Sequence, residues 1–335
     1  MNRLFTLPRV SLATVPTPLQ PAPRLSDTLG VEVWLKRDDL TGLGLGGNKA
    51  RGLEYLIGDA LAQGCDCLVT GAGPQSNWAM LAALAARRTG LDPHLVFYGS
   101  PGAGPATGNL LLDELIGAEV HYTGDSDRSS VDRVIDAVAE KLRVMGRRPY
   151  RLPRGGATGL GATGYLRASL ELSEQLLGAG LSPSQLWLAT GSCGTQAGLV
   201  AGARWLAAPY EVVGVSVSRP AAECVRRVDS LANDVAALLD LPCVPGEITV
   251  LSGHIGPGYG IPSDEGDAAT RLVAQTEGVF LDPVFAAKAM GALVRRAREK
   301  PLVGPVVFLV SGGAPTLFAG RASTSRGAAA LEAAL

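Results

Sequence analysis

Leu186-Trp187-Leu188-Ala189-Thr190-Gly191-Ser192-Cys193-Gly194-Thr195 passes from a continuous apolar run into a glycine-rich turn, then into a helical pattern that reaches Trp205. A run that is apolar at every position, rather than at alternate ones, marks a strand covered on both faces. Such a strand belongs to a parallel sheet with helices on either side. The turn after it gathers unpaired N–H groups at a helix start, where a phosphate can be held. The same alternation runs along the chain in both directions. Upstream, 67–70, 95–98 and 119–122 read as strands and 71–74 as a turn. Helical patterns cover 77–88, 108–116 and 130–144, and downstream 212–217 and 306–310 are further buried strands. The segment 31–36 is expected as an antiparallel or edge strand. The expectation is an α/β protein with mostly parallel sheets in two lobes, because ligands in such sheets bind beyond the carboxyl ends of strands, where lobes meet.

A length of 335 residues with 47% hydrophobic and 18% charged side chains fits a well-buried globular protein and excludes a disordered one. The net charge of −1 supplies no electrostatic reason for a nucleic acid or membrane partner. Five cysteines, with no Cys-x-x-Cys, leave Cys65-x-Cys67 without a second ligand pair, so no metal is expected. Reduced thiols, no apolar leader before Pro8 and no membrane-length run together indicate a cytoplasmic protein. The alanine-rich end, 327–335, is expected as a short helix or an added tail.

Lys49 lies in Gly46-Gly47-Asn48-Lys49-Ala50-Arg51 and opens an amphipathic pattern through Leu53 and Leu56. A lone lysine in a turn is more often a surface residue. At a helix start, however, the dipole disfavours its charge, which suits a site needing a neutral amine. Paired with the phosphate-type turn at Gly191–Thr195, it matches the two needs of pyridoxal 5'-phosphate, an aldehyde that joins lysine and a phosphate tail. The turn lacks the P-loop lysine and the Gly-x-Gly-x-x-Gly spacing, which weakens nucleotide readings. Cys193 has no histidine near it in sequence, and no Gly-x-Ser-x-Gly elbow is present. His94 and His121 read as structural, whereas His254, before Gly256-Pro257-Gly258-Tyr259-Gly260, could line a cleft.

From Pro16-Thr17-Pro18-Leu19 to Ser311-Gly312-Gly313-Ala314-Pro315, the chain resembles the fold-type II (tryptophan synthase β-like) pyridoxal-phosphate enzymes. The likeness is to the branch of 1-aminocyclopropane-1-carboxylate (ACC) deaminase and D-cysteine desulfhydrase. It is carried by Leu35-Lys36-Arg37-Asp38-Asp39-Leu40, Gly46-Gly47-Asn48-Lys49, Gln75-Ser76-Asn77, Gly194-Thr195-Gln196-Ala197-Gly198 and Leu281-Asp282-Pro283-Val284. The resemblance implies two domains with the cofactor in the cleft between them: 1–52 with 160–335 as the large one, and 53–159 as the small one. It implies Lys49 as the Schiff-base lysine and Asn77 on the cofactor's 3'-hydroxyl. Cys193, Gly194 and Thr195 fall in the phosphate loop, and Ser311 faces the pyridine nitrogen. Ser76 and Tyr259 assist proton transfer beside Lys49, while Gln75, Ser76, Asn77, Trp78, Tyr259 and Phe285 face substrate. A homodimer is implied too.

Two departures stand out. Trp78-Ala79 replaces a polar pair, and Phe285-Ala286 stands where ACC deaminases place tyrosine and glutamate. The expected reaction is therefore loss of a β-substituent from a small amino acid, as in D-cysteine desulfhydrase. β-Replacement and ACC deamination are the alternatives, and a catalytically silent amino-acid-binding protein is the reading from another class.

Overall fold

The computed structural model describes residues 2–319, so the expected C-terminal helix lies outside them. Ten strands form two sheets. The first, of six strands, is ordered β1 (Leu19–Pro21), β2 (Val33–Arg37), β10 (Val306–Val310), β7 (Gln185–Thr190), β8 (Glu211–Ser216), β9 (Thr249–Leu251). All its pairings are parallel except that of β1 with β2. The second sheet, of four parallel strands, is ordered β5 (Glu119–Tyr122), β4 (Asp92–Phe97), β3 (Cys67–Ala72), β6 (Pro149–Arg151).

Strands β3, β8 and β10 are apolar along nearly their whole length because helices cover both faces of each sheet. One face of the large sheet packs Leu186, Leu188, Val212 and Leu309 against the helices Gly159–Ala179, Gly194–Trp205 and Ala221–Leu238. The other packs Val213, Val215, Phe308 and Val310 against Asp264–Glu277 and Ala286–Glu299. The stretch 31–36, expected as an antiparallel or edge strand, forms β2, which is antiparallel to β1 and parallel to β10; the antiparallel alternative holds, and the three-residue β1 takes the edge. Lys36 and Arg37 need no solvent in this strand, because their charged heads are held in ion pairs with Glu171 and Asp39. Pro93, inside β4, is tolerated because β5 pairs with β4 only from His94 onward, leaving no N–H missing on that side.

The carboxyl ends of β3, β4 and β6 in one sheet face those of β7 and β10 in the other across a cleft, and the loops leaving them supply the site. Gly46 shows how tightly the lysine loop is folded. At φ +76, a Cβ there would fall 1.9 Å from the Asp39 carbonyl oxygen.

Candidate active site

Lys49 begins the helix Lys49–Ala62, and two loops hold the residue before it. The Asn48 N–H donates to the Ser311 carbonyl at 2.9 Å, and Asn48 Nδ2 donates to Thr195 Oγ1 at 3.0 Å. The turn after β10, the turn after β7 and the lysine loop are thus joined at one residue. Two positions further on, Arg51 roots the helix in a buried ionic cluster. Its guanidinium grips Asp38 at 2.8 Å through both Nε and Nη2, and Glu171 at 2.9 and 2.8 Å. Tyr165 donates to the same Asp38, and Lys36 donates to Glu171. Two cations and two carboxylates balance, which a low-dielectric interior requires.

The amine of Lys49 lies inside the protein, with its residual surface toward the cavity. Burial lowers its pKa to about 8, against the opposing pull of Asp282 and Cys193. Asp282 is itself pushed up to about 6 by burial, although it accepts N–H bonds from Val284, Phe285 and Ala286 and feels Lys49. The same three bonds fix the backbone that carries Phe285.

The turn after β7 arrives at the helix Gly194–Trp205 through Cys193, which sits at φ 78 in the left-handed region. This bend turns the first N–H groups of the helix outward, with no acidic residue in its first turn to compete for them. A hydrogen bond with the Cys224 thiol, together with burial, holds the Cys193 thiol well above its ordinary pKa, making it a poor nucleophile. At the start of the helix Asn77–Arg88, the Ser76 hydroxyl accepts from the Ala79 N–H at 3.2 Å. Asn109 Nδ2 donates to Asn77 Oδ1 at 2.6 Å, which fixes the amide so that Asn77 presents its own N–H₂ as a donor.

These elements line a cleft of about 930 Å³ of empty space, the solvent at its open mouth included. Lys49, Ser76, Asn77, Trp78, Cys193, Thr195, Tyr259, Phe285 and Ser311 all line it, although they come from distant parts of the chain. Gly194 lies beside it, on a smaller adjoining pocket. Gln75 does not face it: its amide spans Thr107 O and Asn109 N at 2.9 Å each, so its role is to hold the neighbouring loop. Nor does His254, which is buried between Glu265 at 3.1 Å and Arg295 at 2.7 Å. Trp78 is mainly a core residue, its indole N–H bonded to Thr70 Oγ1 at 3.0 Å, with one edge on the cavity.

Tyr259 stands edge-on to Phe285, with ring centroids 6.2 Å apart. Burial raises its pKa, with nearby arginines pulling the other way, so it is a proton donor at neutral pH. The lining residues that escaped the sequence reading include Tyr98, Arg128, Arg154 and Arg219. Arg154 carried one usable signal, a cation directly before a Gly-Gly pair.

The donor set fits pyridoxal 5'-phosphate: a desolvated amine, an oriented amide donor, a serine hydroxyl and a helix start free of acids. Comparison with known proteins agrees. The family model described as pyridoxal-phosphate dependent enzyme matches residues 10–312. D-cysteine desulfhydrase of Klebsiella pneumoniae (strain 342) is 40% identical over 325 residues, covering 95% of this chain and 98% of that protein. The desulfhydrase of Salmonella choleraesuis (strain SC-B67) is 38% identical with the same coverage. A solved structure of an ACC deaminase homologue superposes with a TM-score of 0.88 at 37% identity, over 95% of each chain. A threonine deaminase structure at 22% identity and a TM-score of 0.68, covering 93% of this chain and 97% of that one, shares the fold.

Proposed function

This chain belongs to the pyridoxal-phosphate dependent enzyme family, and from that premise we propose that it is a lyase removing a β-substituent from a small amino acid by way of Cα deprotonation, in the manner of D-cysteine desulfhydrase. The observation that carries this reading is that Lys49 is the one lysine of the chain's five that lines the cavity, and its amine is held near neutrality. Lys36 is consumed in the ionic cluster, and Lys288 donates to the Ile255 and Gly258 carbonyls.

When bound, pyridoxal phosphate supplies a carbonyl for an amine and a ring that withdraws electrons from Cα. The outward N–H groups at Gly194 and Thr195 are the phosphate cradle, Asn77 is the donor to the ring hydroxyl, and Ser311 is the partner of the ring nitrogen. A neutral hydroxyl in that place, rather than a carboxylate, leaves the ring nitrogen unprotonated and favours elimination or replacement at Cβ over transamination. The helix start at Ser76 and Asn77 offers amides to a substrate carboxylate. Lys49, as a free amine, takes the Cα proton. Tyr259, protonated at neutral pH, donates toward the departing group. Phe285 and Ala286 have no hydroxyl or carboxylate, so opening of the ACC ring has no acid–base pair at that place.

We also take 1–52 with 160–335 and 53–159 as the two domains, since the sheets divide along that line. We further propose a homodimer, on the family likeness, and a cytoplasmic location, which five unbridged thiols support. Among the described residues no helix is long and apolar enough to cross a membrane. The test is to incubate the holoenzyme with D- and L-cysteine, serine derivatives and ACC and to assay sulfide, pyruvate and 2-oxobutyrate. Release of pyruvate from a β-substituted amino acid supports the reading. A cofactor-loaded protein inert toward every β-substituted amino acid would leave a silent amino-acid binder.

A further inference from the structure

The cavity wall is lopsided in charge. Its lining includes Lys49, Arg128, Arg154 and Arg219, and no aspartate or glutamate. Arg219 belongs to the phosphate loop, since its Nε donates to the Gly191 carbonyl at 3.3 Å. Arg128 and Arg154 have no such place. They leave the small sheet on separate loops, Arg128 after β5 and Arg154 after β6, and converge at the cavity beside Tyr98 and Tyr259. The Arg128 guanidinium lies 3.9 Å from the centroid of the Tyr259 ring, which aims it inward across the cleft. Arg154 has a 22% exposed side chain, and its acid partner Asp132 stands 3.4 Å away, behind the lining. Burial and the neighbouring Arg128 and Arg219 depress the pKa of Arg154, with Asp132 and Asp127 opposing, which places three cations within each other's field, their acids Asp127, Asp132 and Glu223 all standing outside the cavity lining. Part-buried guanidiniums held together repel one another, and an anion between them removes that cost.

The two anions of a simple amino acid and its cofactor already have helix-start amides, at Gly194 and at Asn77. We infer that the substrate carries a further anion in its side chain, a sulfonate or phosphate on Cβ, received by Arg128 and Arg154 beside Tyr259. This rests on the lyase reading above and names its substrate class. In the reaction the Cα proton passes to Lys49, and the Cβ–X bond breaks with its electron pair leaving on X. Water then converts the remaining enamine to a 2-oxo acid and ammonium. Guanidiniums at X stabilise the charge that grows there as the bond breaks.

The experiment uses holoenzyme with its imine band verified, so that failure of cofactor binding registers separately from failure of the substrate inference. Affinities of cysteine, serine, cysteate and O-phosphoserine are read from the change in that band, and kcat/KM from pyruvate release. We expect cysteate and O-phosphoserine, with their anionic side chains, to be preferred over the uncharged side chains by about tenfold or more. The ratio should fall by at least about tenfold in Arg128→Gln and in Arg154→Gln, and recover in part in Arg154→Lys. Cysteate against O-phosphoserine decides between sulfonate and phosphate. Equal affinity for charged and uncharged side chains, or a preference that survives both glutamine variants, overturns the inference.

Discussion

At the scale of single residues, the account turns on how Lys49 and Asp282 share a buried space. An amine lowered to about 8 is a free base in a useful fraction at neutral pH, where an ordinary lysine is not. The rate at which apoprotein forms its imine with pyridoxal phosphate should therefore rise with pH to a midpoint near 8. A midpoint above 10 would place the reacting amine in solvent. Because Asp282 pulls the Lys49 pKa upward, Asp282→Asn should move that midpoint to lower pH, and an unmoved midpoint argues against the coupling. Much of this was legible, since Lys49, Ser76, Asn77, Tyr259 and Ser311 stand in short motifs whose residue types announce their chemistry. Asp282 was legible as part of a motif but not in its role, because a carboxylate becomes an electrostatic partner of an amine only once the 232 residues of chain between them have folded.

At the scale of elements, the helix Lys49–Ala62 is held by what lies beneath it rather than by its own cap, for Asn48 makes no side-chain cap bond. Arg51 anchors that helix to Asp38, a fully buried carboxylate, and to Glu171 on the helix Gly159–Ala179. Arg51→Met should destabilise the protein by about 3–5 kcal/mol, because it strands a buried carboxylate. Denaturant unfolding would measure the loss, and a cost under about 1 kcal/mol would mean the cluster is not a root for the helix. Lys36 and Asp38, two members of this cluster, stand together in the motif Leu35-Lys36-Arg37-Asp38-Asp39-Leu40. Glu171 and Tyr165 could not be matched to it, since no local period links residues that far apart. The pattern of buried strands and covering helices was readable over 67–144 and around 186–205, because it depends on apolar runs and glycine turns, but the helices Gly159–Ala179, Ala221–Leu238, Asp264–Glu277 and Ala286–Glu299 were not read. The stretch 31–36 shows the limit: lysine and arginine in a strand look the same whether water or a buried carboxylate meets them, so the sequence left antiparallel and edge placements both open.

At the scale of the whole molecule, two parallel sheets turn the carboxyl ends of their strands toward one cavity, and the glycine content lets backbones meet there. Gly156 is a sharp instance, because at φ +65 its Cβ would sit 2.0 Å from the Trp78 ring. Gly156→Ala should shift that indole, narrow the cavity and weaken cofactor retention. Unaltered cofactor affinity and stability would show that the wall has slack. Filling the cleft should also stabilise the fold by about 2.7 kcal/mol at a hundredfold excess of pyridoxal phosphate over its Kd. What sequence alone left dark at this scale was the arginine pair, which becomes a site only when loops from two strands close over Tyr259.

The central claim, that the ε-amine of residue 49 carries the cofactor, is tested most directly by reducing the holoenzyme with borohydride and mapping the labelled peptide by mass spectrometry. The chain offers five lysines, at 36, 49, 141, 288 and 300. The account predicts the pyridoxyl mass on Lys49 alone. A label on any of the other four, with Lys49 unmodified, would contradict it.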